Sequence, residues 1–162
     1  MSLLSILEAG RLDFLDATAE ISPEQGSARP APGCWSVLEC IEHVVIAEDR
    51  YLSWISNGTS IAPQRNQDRE LRLFTTIRSR LTRVQAPEVL WPAGRFDSLT
   101  AALAEFKAVR DRSVQLVEER GESLYSIGAR HPYFGDVNGV ELIQLMDGHA
   151  RRHADQIRES YE

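Results

Sequence analysis

The sequence predicts an all-α protein built on four long helices, and three observations carry that reading. Apolar residues recur at helical spacing in four separate stretches, two of these open with a capping-box spacing, and no stretch alternates convincingly with the two-residue period of a strand. With 162 residues, 43% of them hydrophobic, the chain can build one well-buried core and is short for two, so a single domain over 1–162 is expected.

The first helix is expected over 2–21, with Leu3, Leu7, Phe14, Thr18 and Ile21 near one stripe and Ser22-Pro23 ending it. A stiff linker follows, Arg29-Pro30-Ala31-Pro32-Gly33. The second helix has the clearest start: Ser36 as N-cap, Glu39 completing a capping box, and Trp35 placed to staple against Cys40. It should run to Ser56, where Asn57-Gly58 stops it. From 59 to 97 the pattern weakens. Pro63, Pro87 and Pro92 punctuate a segment that still holds a charged helical stretch over 68–84, read as a small insertion packed across the bundle between the second and third helices. The third helix runs from the Ser98 cap to Arg120, with Leu99, Leu103, Phe106, Val109, Val114 and Val117 on its apolar side and Gly121 just past its end. A turn-rich stretch over 128–138 leads into the last helix, where Asn138 and Glu141 repeat the capping-box spacing.

Charge narrows the function classes. A net charge of -6 and a pI near 5.3, with no dominant Lys/Arg cluster, argue against nucleic acid as a partner. The N-terminal apolar run is broken at Glu8 and no later stretch approaches a spanning length, so no membrane role is expected and the cytoplasm is the default location. Cys34 and Cys40, six apart around a helix start, read as reduced thiols.

The histidines carry the chemistry. His149 and His153 in His-Ala-Arg-Arg-His stand one helical turn apart, so both imidazoles leave the same face and can reach one ion. Their stripe also holds Leu142, Met146 and Ile157, the side that should enter the bundle, where two unpaired histidines would be costly. The alternative is a pair of hydrogen-bonded core histidines. His43 lies on its own helix with Glu39, Cys40, Ile46, Ala47, Arg50 and Trp54, a mixed face bordering the core. Taken alone it reads as a packing or surface residue. Bundles, however, assemble metal sites from facing helices, and one histidine opposite a pair is a natural division of ligands.

The segments Arg29-Pro-Ala-Pro-Gly-Cys-Trp-Ser-Val-Leu-Glu-Cys-Ile-Glu-His43, His131-Pro-Tyr-Phe-Gly-Asp-Val-Asn-Gly-Val-Glu-Leu142 and His149-Ala-Arg-Arg-His-Ala-Asp-Gln-Ile157 resemble the DinB superfamily. More narrowly they are similar to its DinB-2 or YfiT-like branch, which includes bacillithiol and mycothiol S-transferases and proteins described as metal-dependent hydrolases. The resemblance implies an up-down-down-up four-helix bundle in which the second and fourth helices are neighbours. It also implies a divalent metal held by three histidines matching His43, His149 and His153, and a homodimer.

Three imidazoles would leave such a site with a charge of +2, so a water there becomes acidic, toward a pKa of about 7 with zinc, and an entering thiol would ionise for the same reason. Two chemistries fit: hydrolysis, and activation of a low-molecular-weight thiol for attack on a small electrophile. Zincin peptidase chemistry fits badly, because position 150 is Ala where a base Glu is required. A two-histidine, one-carboxylate iron site would need Asp147 or Asp155, which lie on other faces. Zinc, nickel and iron all suit the donor set. No general base accompanies the histidines, which weighs against hydrolysis more than against thiol transfer.

Other polar residues have weaker readings. Arg50, two turns beyond His43, could hold a carboxylate of a charged thiol, against the commoner surface ion pair. Arg151 and Arg152 are expected on a solvated face, His131 in a structural role before Pro132, and Cys40 as packing beneath Trp35. Tyr133 and Phe134 line either an entrance or simply the core. Against the enzyme stands a non-catalytic bundle in which the ion clamps the second and fourth helices.

Overall fold

The computed structural model describes residues 1–81 and 85–162. The four expected long helices are present as α1 (Leu3–Thr18), α3 (Val37–Ser56), α5 (Leu99–Arg120) and α6 (Gly139–Tyr161). Their starts are the ones the sequence encodes. Ser36 and Asn138 complete capping boxes with Glu39 and Glu141, and the Ser98 hydroxyl accepts from Ala101 N–H.

Side-chain contacts fix the directions. Ile6 O and Asp13 on α1 meet Arg151 and Arg158 on α6, so these helices run parallel. Phe14 packs on Phe106 while Leu7 O accepts from Arg110, so α1 and α5 are antiparallel. Val37, Ile41 and Val45 cluster with Ala102 and Phe106, whereas Tyr51 and Ile55 cluster with Val117, so α3 and α5 are parallel. His43 faces His149 and His153, and Tyr51 lies with Val140 and Leu142, so α3 and α6 are antiparallel neighbours. The bundle is therefore up-down-down-up.

Three features depart from the reading of the sequence. A short helix α2 (Pro23–Ser27) follows α1, with its own capping box from Ser22 and Gln25 and a proline in its first turn, so Ser-Pro-Glu-Gln opens a second helix as well as ending the first. The stretch over 127–138 is a hairpin of β2 (Ile127–His131) and β3 (Gly135–Asn138), to which β1 (Thr59–Ser60) adds by pairing with Ile127 and Gly128. Gly135, at φ 71°, supplies the left-handed residue of its turn. The charged stretch expected over 68–84 is α4 (Gln67–Arg78); residues 82–84 of that expectation lie outside the described ones. α4 lies along α6 through Arg69–Glu141 and Arg78–Asp155 pairs, and Gly148 lets α6 approach Phe74 and Ile77. Among the described residues no helix is long and apolar enough to cross a membrane.

Four charged or polar residues join the helices at the centre. Arg110, fully buried, donates to Glu48, Asp147 and Leu7 O, and Ser113 adds a hydroxyl to Glu48. Burial alone would push the Arg110 guanidinium down, but the two carboxylates together hold its pKa above the usual value.

Candidate metal centre

His43 leaves α3 toward α6, and His149 and His153 leave consecutive turns of α6 toward α3. Their ring centroids lie 4.7–4.8 Å apart. The ligating atoms converge further: His149 Nε2 is 3.0 Å from His43 Nε2 and 3.3 Å from His153 Nε2, and one atom from each ring lies within 4.8 Å of the others. Nitrogens sharing a tetrahedral ion at bonds of about 2.0–2.1 Å sit about 3.3 Å apart. The spacing fits a single ion.

Hydrogen bonding at the far side of the rings decides what these atoms are. His43 Nδ1 is 2.8 Å from Leu90 O, a carbonyl that can only accept, so the proton of the neutral ring is on Nδ1 and Nε2 carries a lone pair. His153 Nδ1 donates likewise to Gln156 Oε1 at 2.9 Å. Two bare lone pairs thus face His149 Nε2, and one proton there could point at only one of them; a cation satisfies all three. Burial lowers the pKa of His43, and burial with like-charged neighbours lowers those of His149 and His153 well below the ordinary value, so the rings stay neutral. Trp35 covers the group, its ring 4.8 Å from His43 and 6.5 Å from His153, while His149 remains partly exposed.

The carboxylates around the group are all engaged elsewhere. Both Glu42 oxygens accept backbone N–H groups, those of Ala93 and Arg95; Glu48 and Asp147 are held by Arg110; Asp155 pairs with Arg78 and Arg158, and Glu159 with Arg80. None joins the three histidines among the described residues.

The remaining candidates separate. Arg50 is exposed on α3 and forms no ion pair among the described residues. Arg151 departs from the solvated face expected of it: partly buried, it donates to Asp147 and Ile6 O and lies over the Phe74 ring. Arg152 is half-buried and donates to Ser79 O. Cys40 is buried, its thiol pushed up to about 12 by desolvation, and Trp35 packs against its cluster. His131 stands apart from the group. Its Nδ1 accepts from Tyr133 N–H at 3.1 Å, so Nε2 carries the proton and donates to Tyr51 Oη at 2.9 Å. Phe134 packs on His131, while Tyr133 is largely exposed.

Fold and site together define a four-helix bundle with a three-histidine group, able to hold a metal ion, at the seam of an antiparallel helix pair. The chain belongs to the DinB superfamily, whose model matches residues 6–157. It is similar to YuaE of Bacillus subtilis, 23% identical over 159 residues, covering 98% of this chain and 97% of that one. Two solved structures share the fold. TT2238, a four-helix bundle protein, aligns with a TM-score of 0.61 at 21% identity over 97% of this chain and 96% of its own. YfiT from Bacillus subtilis, described as a probable metal-dependent hydrolase with an unusual four-helix bundle topology, aligns with a TM-score of 0.60 at 13% identity over 98% and 83%.

Proposed function

We propose that the protein is a metal-dependent enzyme that activates a low-molecular-weight thiol for transfer to a small electrophile, with His43, His149 and His153 holding the ion. The observation that carries this reading is the convergence of three Nε2 atoms with no carboxylate among them. The ligand set is then neutral, and zinc, nickel or iron would keep its full +2 charge. A bound ion would supply Lewis-acid chemistry, acidifying a thiol or water that enters its open position.

The chain's own residues would do the rest. Leu90 O and Gln156 would fix the donor nitrogens of His43 and His153, Trp35 would keep water from one side, and the partly exposed side at His149 would admit substrate. Among the described residues the carboxylates Glu42, Glu48 and Asp147 are engaged and poorly placed to take a proton from water, whereas a thiol of pKa about 8–9 ionises by losing its proton to solvent. That difference favours thiol transfer over hydrolysis. Arg50, exposed about 10 Å along α3 from His43, would hold a carboxylate of the thiol. In this reading the protein works in the cytoplasm as a homodimer, on small molecules and without nucleic acid or membrane.

Elemental analysis of wild type beside His149→Ala, followed by conjugation assays with several cellular thiols, tests the proposal. One ion per chain in wild type, its loss in the variant, and metal-dependent conjugation are expected. Ester hydrolysis outpacing conjugation would favour the reaction suggested for YfiT. Metal that stays in His149→Ala would refute the site.

A further inference from the structure

Two consecutive residues of α3 hold one stretch of the connection between α4 and α5. His43 Nδ1 donates to Leu90 O, and Glu42, only 2% exposed, accepts Arg95 N–H on Oε1 at 2.5 Å and Ala93 N–H on Oε2. The connection is long for a bundle, and among its described residues the regular structure is a 3₁₀ turn at Glu88–Leu90. That turn is closed by Leu90 N–H to Pro87 O at 2.9 Å and by Trp91 Nε1–H to Ala86 O at 2.7 Å. Leu90 is therefore fixed on one side by its own turn and on the other by Glu42.

The Glu42 carboxylate forms no ion pair among the described residues, so the two backbone N–H groups are what offset its desolvation. An apolar side chain could fill the same space without that cost. Charge-assisted bonds of this kind are about twice as strong as neutral ones, and hence stronger than the imidazole–carbonyl bond one residue away. The strong pair sets the segment; the weak bond reads its position.

We infer that Glu42 is a positioning residue for the metal centre: by anchoring the 88–95 segment through Ala93 and Arg95, it holds the Leu90 carbonyl against His43 Nδ1 and so presents Nε2 to the ion. The inference rests on the metal-binding reading given above. Glu42 does not join the converging histidine ligand atoms among the described residues, and both its oxygens are taken by backbone N–H groups.

The test compares full-length wild type, Glu42→Gln and Glu39→Gln. Glu39 lies in the first turn of the same helix, where it caps Ser36 N–H and pairs with Arg29, so its substitution loosens α3 without touching the 88–95 segment. Zinc affinity by chelator competition should fall about 10–100-fold in Glu42→Gln and stay within about two-fold of wild type in Glu39→Gln. Imidazole ¹⁵N spectra of the metal-free proteins should show faster exchange of the His43 Nδ1–H in Glu42→Gln alone. Unchanged affinity in Glu42→Gln, or an equal fall in both variants, would overturn the positioning role. If wild type takes up none of zinc, nickel and iron, the metal reading itself fails, and an unchanged His43 signal in metal-free Glu42→Gln then overturns the positioning role independently. Should Glu42→Gln not fold, Glu42→Asp, one methylene too short to reach both N–H groups, carries the same expectations.

Discussion

At His43 a backbone carbonyl on Nδ1 leaves Nε2 bare; at His131 a backbone N–H on Nδ1 forces the proton onto Nε2 and toward Tyr51. The same side chain is thereby a donor atom for a cation in one place and a structural hydrogen-bond donor in the other. Arg50 is the residue for which function is easiest to separate from folding, since it is exposed and engages no acid among the described residues. Arg50→Ala should leave metal content and melting temperature unchanged. If it holds a thiol's carboxylate, KM for that thiol should rise about ten-fold or more, the loss of one charge-assisted bond, with kcat little altered. An unchanged KM would remove Arg50 from the site. At this scale the sequence was most informative about spacing: the turn between His149 and His153 was legible, and so was the structural role of His131 beside Pro132. Leu90 and Glu42 were not, because a carbonyl that orients a ring from 47 positions away leaves no local pattern.

Helices were legible wherever capping and periodicity agreed, as in α3, α5 and α6. The small sheet was not, because β2 holds Gly128 and Arg130, its hairpin partner β3 is only four residues long, and the two residues of β1 join it by tertiary contact across about 70 residues rather than by local propensity. Charged residues inside helices carry no local sign of burial either. Arg110, on which the sequence is silent, ties α1, α3, α5 and α6 through Leu7 O, Glu48 and Asp147. Gly10 is part of this arrangement, since a methyl group there would overlap Asp147 Oδ1. Removing one member leaves uncompensated buried charge, so Arg110→Met should cost about 3–5 kcal/mol in urea unfolding. A cost below about 1 kcal/mol would show that the carboxylates find other partners or protonate cheaply. Glu48 and Asp147 stand on the two helices that carry the histidines, so metal content measured alongside should fall with stability.

The molecule as a whole keeps all its histidines buried or half-buried, and that makes its stability a function of pH. Burial lowers the pKa of each: His131 from 6.5 to about 4, with His43, His149 and His153 shifted the same way. A base whose folded pKa is depressed takes up its proton first in the unfolded chain. Its contribution is thus fully present above pH 6.5 and is lost as pH falls toward the folded value; for His131 this is worth up to about 3 kcal/mol. The urea midpoint of chelator-treated protein should be level from pH 8 to 7 and fall progressively from about 6.5 toward 4. Metal adds an offset to this curve, because it links α3 to α6 only in the folded chain, where burial already keeps the imidazoles neutral. At 100 times its dissociation constant an ion stabilises by about 2.7 kcal/mol, a rise of about 5–10 °C in melting temperature for a chain of this length. The metal-loaded and metal-free curves should therefore lie well apart at pH 7.5 and stay apart as pH falls through 6.5, closing only where the folded histidines themselves take up protons. In His149→Ala they should coincide throughout, because the seam then lacks one of its three donors. A separation in His149→Ala as large as in wild type would mean that the stabilising ion is held elsewhere, and the histidine seam would lose its claim to it.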